Sequence, residues 1–330
     1  MDKSVYLKFS DAQIGDTYER PVLVSSIVEN TAKNGKTFVR LTLKDGFSEI
    51  TAMMFDTSAA ALESVGIVKS SVADVYLAVS EYNGGKSFKV NEIRPAADKT
   101  LTAADFTKLP PVDLDVMYNE ICEIIKNASA GEINGSAPIS ELALTILEAN
   151  KKKFMFSSAA VSMHHDLKGG LLYHSYRMVK AADALCNIYD TLDRELLVCG
   201  AALHDIGKIW EYKTSEAGDA EYTASGILLG HLYIGASLIK QYTKDDEGNE
   251  KYDNEKVKML VHMILSHHGT HEFGAVTCPA IPEAFALHYI DNIDAKIYMC
   301  EDFYESLQPG EITDKKPFGL DNRIYRPKFK

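Results

Sequence analysis

Cysteine is scarce in this 330-residue chain and is nowhere arranged as a set of ligands. The five cysteines (Cys122, Cys186, Cys199, Cys278 and Cys300) are odd in number, scattered, and never in CxxC spacing. That excludes a disulfide framework and cysteine-based metal motifs, and makes a reducing cytoplasm the expected location. Long apolar runs are also missing. Nothing approaches the roughly 18 residues of a membrane span, and the opening Met1–Asp16 has no apolar signal core. No membrane partner is expected. Internal repeats and low-complexity tracts are absent as well.

Positive charge is in deficit. The net charge is −12, which argues weakly against a bulk nucleic-acid binder, so its distribution matters. Residues 1–100 are close to neutral, with 12 Lys/Arg against 13 Asp/Glu, and residues 101–330 hold 23 against 34. Within that acidic part, Thr313–Lys330 reverses sign, with six Lys/Arg and two acids. Metal ions would offset part of the acidity. Hydrophobic content of 46% and charged content of 25% are those of a globular protein.

What is present first is a run of strands. In Lys36–Lys44, Val39, Leu41 and Leu43 alternate with Phe38, Arg40 and Thr42, the period of a half-buried strand. Asn34-Gly35 and Asp45-Gly46 bracket it as turns. Further strands are expected at Thr17–Glu29, Ser48–Phe55, Val72–Tyr82 and Lys86–Ile93, with a short helix over Thr57–Gly66 and a turn at Asn83-Gly84-Gly85. Three strands, a helix, then two strands is the order of an OB-fold barrel, a module that binds oligonucleotides and oligosaccharides.

Pro95–Pro111 reads as a linker with one helical turn, and the remainder is helical. Asp115–Ala128 and a helix capped by Ser140 come first. The expected fold is therefore multidomain, β then α: an OB-fold barrel over 1–97, linker and connecting helices over 98–160, an all-α helical bundle over 161–312, and a basic tail over 313–330.

Five helices of that bundle carry histidines and aspartates. His174 lies in Leu171–Tyr189, His204-Asp205 ends Leu192–His204, and Gly230-His231 opens the next helix. His267-His268 ends Val257–His268, and Asp291 sits within Pro282–Phe303. Any one of these would usually be an ordinary core or surface residue. Together they supply enough nitrogen and oxygen donors for one or two ions of Mn, Fe, Co, Ni or Zn sharing a carboxylate. Paired metals in an open site suit phosphate-ester hydrolysis.

The order His…His-Asp…Asp, and the stretch Leu203-His204-Asp205-Ile206-Gly207-Lys208 above all, resembles the HD phosphohydrolase superfamily. The flanks His164-His165, Gly170–His174, Leu229-Gly230-His231, Ile264–Gly269 and Leu287–Ala295 resemble the YhaM-type 3′→5′ exoribonucleases, which also join an OB-fold to an HD domain. The resemblance spans nearly the whole chain. It implies that His174, His204, Asp205 and Asp291 hold one metal, and that Asp205 bridges to a second held by His231 with His267, His268 or both. Asp294 would lie behind the ligands. Lys208 would meet the scissile phosphate or the departing oxygen, and His164 and His165 would contact phosphate from a loop, with His165 counted among the catalytic residues. Manganese is the leading metal by the same resemblance.

The expected function is a metal-dependent 3′→5′ exoribonuclease that releases nucleoside 5′-monophosphates, with a metal-activated hydroxide attacking phosphorus. Single-stranded RNA or DNA would run over Lys36, Phe38 and Arg40, with Tyr82, Phe88 and Lys89 added near the second hairpin. An HD-type nucleotide or cyclic-nucleotide phosphohydrolase with a regulatory OB domain is the alternative. The Gly-Tyr-Pro triplet that marks the cyclic-di-GMP branch is absent. A non-enzymatic nucleic-acid binder with a structural metal is a third reading, disfavoured because the donors exceed what one closed site uses. The basic tail (Lys315, Lys316, Arg323, Arg326, Lys328) would serve a substrate or a partner subunit in a homo-oligomer.

Overall fold

A computed structural model describes residues 6–32, 35–82, 84–132, 134–159, 167–215 and 220–329. The chain divides into two compact units, Met1–Lys108 and Leu109–Lys330.

In the first unit, β1 (Thr17–Thr31), β2 (Thr37–Lys44), β3 (Glu49–Phe55), β4 (Val72–Tyr82) and β5 (Gly85–Pro95) close into a barrel of order β1-β2-β3-β5-β4. The helix α1 (Ala59–Ser64) joins β3 to β4, which completes the expected OB-fold order. Closure depends on β1. Its first half pairs with β4 and its second half with β2, with a register irregularity between Val24 and Ser26 where it changes partner. Such a bulge bends a strand enough to serve two neighbours. Val22, Val24, Val39, Leu41, Leu43, Val75 and Leu77 fill the interior. The Asp45-Gly46 turn is held by Asp45, whose Oδ1 accepts the N–H groups of Phe47 and Ser48 at 2.8 and 2.7 Å. Its Oδ2 takes Arg20 Nη1 at 3.0 Å in a fully buried ion pair.

The second unit is helical: α2 (Leu114–Asn127), α3 (Ile139–Ala149), α4 (Lys151–Phe156), α5 (Gly170–Leu185), α6 (Arg194–Leu203), α7 (Lys208–Glu211), α8 (Ala224–Gln241), α9 (Asn254–Ser266) and α10 (Pro282–Ser306). It departs from all-α in one place. Between α7 and α8, β6 (Tyr212–Thr214) and β7 (Ala220–Tyr222) form a small antiparallel pair. The helices expected to connect the domains are part of this core, where Ile121, Ile125, Leu142 and Phe154 join Leu172, Leu197 and Ile264.

Two helix starts differ from expectation. Ser140 is not a cap: α3 begins at Ile139 after Pro138, and the buried Ser140 N–H donates to Glu195 Oε1 at 3.1 Å. The helix carrying His231 begins seven residues earlier, capped by Thr223, and Gly230 is a kink within it.

Candidate functional site

Position follows from backbone constraints around the His-Asp pair. Every residue of α6 after Arg194 is buried, so its C-terminal end delivers His204 and Asp205 into the interior, 0% and 3% exposed. The chain must then turn directly against α8. Gly207 permits this, since a Cβ there would lie 2.1 Å from the His231 carbonyl oxygen. Gly230 completes the fit from the other side with φ 67° and ψ 156°, a conformation available to glycine, which redirects α8 at His231.

The imidazoles converge through their Nε2 atoms. His174 Nε2 lies 3.0 Å from His204 Nε2, 3.3 Å from Asp291 Oδ1 and 3.8 Å from Asp205 Oδ2. On the far side of Asp205, His231 Nε2 and His267 Nε2 lie 3.5 and 3.7 Å from Oδ1. His268 Nε2 is 3.3 Å from His231 Nε2. Three overlapping groups have the spacing to hold an ion: His174, His204 and Asp205; His204, His267 and Asp291; His231, His267 and His268.

The other ring nitrogen of four histidines is already engaged. His174 Nδ1 donates to Asp294 Oδ2 at 2.7 Å, His204 Nδ1 to the Ala201 carbonyl at 2.9 Å and His267 Nδ1 to the Ile264 carbonyl at 2.9 Å. His231 Nδ1 lies 2.9 Å from Glu211 Oε2, and Glu211 Oε1 accepts the His231 backbone N–H at 3.1 Å. These partners orient the rings and turn each Nε2 inward toward the shared carboxylate. Asp294 is itself held by Arg177 Nε at 2.5 Å.

Electrostatics favour a cation here. Burial works against the Asp205 carboxylate, yet Lys208 and His204 hold its pKa well below the usual range. Burial likewise opposes ionisation of Asp291, and His174 overcomes it. For His174 burial opposes the charge, while Asp291 and Asp294 raise the pKa to about 10. Burial, reinforced by His204, drives His267 well below the ordinary imidazole value, and burial with His231 lowers His268. The decisive atom is Asp205 Oδ1, which is buried and accepts no hydrogen bond. A carboxylate oxygen left so is costly unless a cation completes its surroundings. The donor set fits a divalent metal.

All the expected ligand residues therefore meet at one place. Lys208 is there too, Nζ 2.7 Å from Asp205 Oδ2. His164 and His165 fall outside the described residues. His288 does not join the ligands; its Nδ1 donates to the His267 carbonyl at 2.8 Å. Glu211 is a site residue that sequence reading missed. It follows the His-Asp motif by six positions, and only the packing of α7 on α8 brings it to His231.

On the barrel, one row of Cα partners runs Arg40, Met53, Lys89 across β2, β3 and β5, with Phe38 opposite Phe55 beside it. The Phe38 and Phe55 rings are 5.8 Å apart, Phe55 is 52% exposed, and Lys89 Nζ lies 6.0 Å from the Phe55 ring centre. Phe55 was legible from alternation within β3 but was not singled out. Lys36 pairs with Asp56 at 3.3 Å, and Tyr82 stands at the β4–β5 hairpin tip. Phe88 corrects an expectation. It pairs opposite Val79, points into the barrel and packs edge-on to Phe9, so it is a core residue without a face to offer a base.

A family model for the HD domain matches residues 171–296, the span that carries all the side chains of the convergent centre. The 3′-5′ exoribonuclease YhaM of Bacillus subtilis (strain 168) is 33% identical over 322 residues, covering 96% of this chain and 97% of that protein. The proteins of the same name from Shouchella clausii (34% over 319 residues; 96% and 95%) and Listeria innocua (32% over 324; 97% and 98%) are similar to the same extent. Among solved structures, the second OB-fold domain of replication protein A from Methanococcus maripaludis aligns with 29% of this chain and 97% of its own, at 21% identity and a TM-score of 0.23.

Proposed function

The chain belongs to the YhaM family of 3′-5′ exoribonucleases, and from that premise we propose that it shortens single-stranded RNA from the 3′ end at a metal centre organised by Asp205. The HD domain implies a divalent metal. The observation that carries the assignment to these residues is the orphaned Asp205 Oδ1 between the His231 and His267 nitrogens, with Oδ2 turned to His174 and His204.

In this reading His174, His204 and Asp291 would hold one ion and His231, His267 and His268 a second, with Asp205 available to both. Manganese is our leading choice on the family resemblance; nitrogen and oxygen donors by themselves admit several first-row ions. Such ions, when bound, acidify a coordinated water and offset charge on a phosphodiester.

The protein's own groups do the rest. Asp294, Glu211 and the two backbone carbonyls hold four of the five imidazoles, those of His174, His231, His204 and His267, with Nε2 toward the centre. Burial opposes charge on Lys208, but Asp205 keeps its ammonium protonated. We assign that ammonium to a non-bridging phosphate oxygen or to the departing 3′ oxygen. Water adds through its oxygen to phosphorus as the P–O3′ bond breaks, the departing 3′ oxygen takes up a proton to become a 3′-hydroxyl, and a nucleoside 5′-monophosphate is released. Phe38, Phe55, Arg40 and Lys89 would hold bases and phosphates of the strand. Stacking on such rings tolerates any base, which suits a processive substrate. All five cysteines are free thiols, in keeping with a reducing cytoplasm. Among the described residues no helix is long and apolar enough to cross a membrane.

The test is a time course on 5′-labelled single-stranded RNA and DNA, with and without Mn²⁺. We expect a ladder shortening from the 3′ end on RNA, dependent on metal. Intact RNA from a preparation that hydrolyses free nucleotides would replace this assignment with a nucleotide phosphohydrolase.

A further inference from the structure

The second unit holds a block of positive charge that the metal chemistry leaves unused. Residues 101–330 are acidic overall, yet six of their Lys/Arg fall between Thr313 and Lys330. Several cations elsewhere in the unit are held in ion pairs: Arg177 with Glu301, Lys180 with Glu120, Lys251 with Glu141 and Lys256 with Glu195. In contrast, Lys315, Lys316, Arg323 and Lys328 are exposed and form no ion pair among the described residues.

This segment is built onto the helix that carries Asp291. Lys296 Nζ donates to the Gly319 carbonyl, and Arg326 Nη1 donates to the Tyr304 and Leu307 carbonyls, each at 2.6 Å. The segment also pairs with itself, Thr313 N–H to the Ile324 carbonyl at 2.9 Å and Gly310 N–H to the Arg326 carbonyl at 2.8 Å. The free cations thus project from a held clip, so little chain entropy is lost when a ligand binds. Between Lys316 and Arg323 stands Phe318, 80% exposed. An aromatic ring presented to water among unpaired cations is the surface that single-stranded nucleic acid recognises, by stacking and by charge. Lys296 lies five residues beyond Asp291, about 7.5 Å along the helix axis.

We propose that Thr313–Phe329 is a second binding element for single-stranded RNA, separate from the barrel, that holds substrate upstream of the bond being cut. It rests on the reading of this chain as an RNA enzyme. The alternative occupant, the acidic surface of a second copy, is one outcome of the test.

The full-length protein in EDTA, which spares the RNA, is titrated with a labelled single-stranded RNA at several salt concentrations. Three forms are compared: wild type, the Lys315→Ala/Lys316→Ala/Arg323→Ala/Lys328→Ala variant, and Phe318→Ala. Each phosphate contact contributes about 0.7 to the slope of log affinity against log salt. The fourfold variant should lose about 2 to 3 from that slope. Phe318→Ala should weaken binding by roughly fivefold or more and leave the slope alone, as loss of one stacked base requires. Both variants should hydrolyse a dinucleotide at the wild-type rate. Unchanged slope and affinity would overturn the proposal, and a changed oligomeric mass with unchanged RNA binding would reassign the segment to contacts between copies. Wild type that fails to bind RNA at all would instead overturn the wider functional reading.

Discussion

His174 and His204 approach each other to 3.0 Å through their Nε2 atoms while the Nδ1 atoms of both rings are committed elsewhere, to Asp294 and to the Ala201 carbonyl. Two imidazole lone pairs do not rest at that distance unless positive charge lies with them. In the metal-free protein the charge is a proton on His174, whose pKa is raised to about 10. In the loaded protein proposed above, a metal ion would supply it.

Metal binding should therefore release a proton. His174 is protonated below about pH 10, and an ion must displace that proton to reach Nε2. Affinity at this half of the site is expected to rise with pH, about tenfold per unit for one proton. His267, held neutral by burial, should release none. Calorimetry in two buffers of different ionisation heat gives the proton count directly, and an affinity flat from pH 6 to 8 would contradict it.

Asp205→Ala removes a carboxylate that faces both sets of imidazoles. Exonuclease activity should fall by roughly a thousandfold or more, with loss of at least one ion per chain by elemental analysis. Full metal content and full activity in this variant would refute the shared-carboxylate arrangement.

The residues behind the ligands should matter almost as much. Asp294→Asn and Glu211→Gln each keep the side-chain shape but weaken the hold on an imidazole, on opposite sides of Asp205. Each should lower metal affinity by about 10–100-fold, read by competition with a chromophoric chelator. Wild-type affinity in both would show that these carboxylates only fill space.

Gly207→Ala tests the close approach that seats His231. Its Cβ would meet the His231 carbonyl at 2.1 Å, and backbone cannot swing aside as a side chain does. Overpacking of this kind costs about 1–3 kcal/mol, a fall of several degrees in the melting temperature for a unit of this size. An unchanged Tm would mean that α8 moves freely.

On the barrel, Phe55→Ala and Phe38→Ala should each cost about 1–3 kcal/mol of binding to long single strands. Hydrolysis of a dinucleotide should be spared. Equal losses on long and short substrates would remove the platform role.

Much of this was legible beforehand where one residue type has one job. Alternation and paired turn dipeptides located the strands, and their order with α1 specified the barrel. His and Asp on separate core helices pointed to one convergent cluster, since apolar neighbours carried them inward. Tertiary pairing decided the rest. Phe88 shares a face with Val90, and the β4–β5 register turns that face inward. The first turns of α8 contain Ile227, Leu228 and Leu229, all exposed, so no amphipathic stripe announced a helix before Gly230. Glu211 reaches His231 only across two helices.

The central claim is that Asp205 stands between two metal ions. Crystals soaked in Mn²⁺ and measured at the manganese absorption edge test it most directly. We predict two anomalous peaks, one beside His174, His204 and Asp291 and one beside His231, with the Asp205 carboxylate between them. No peak within bonding distance of Asp205 would contradict the account.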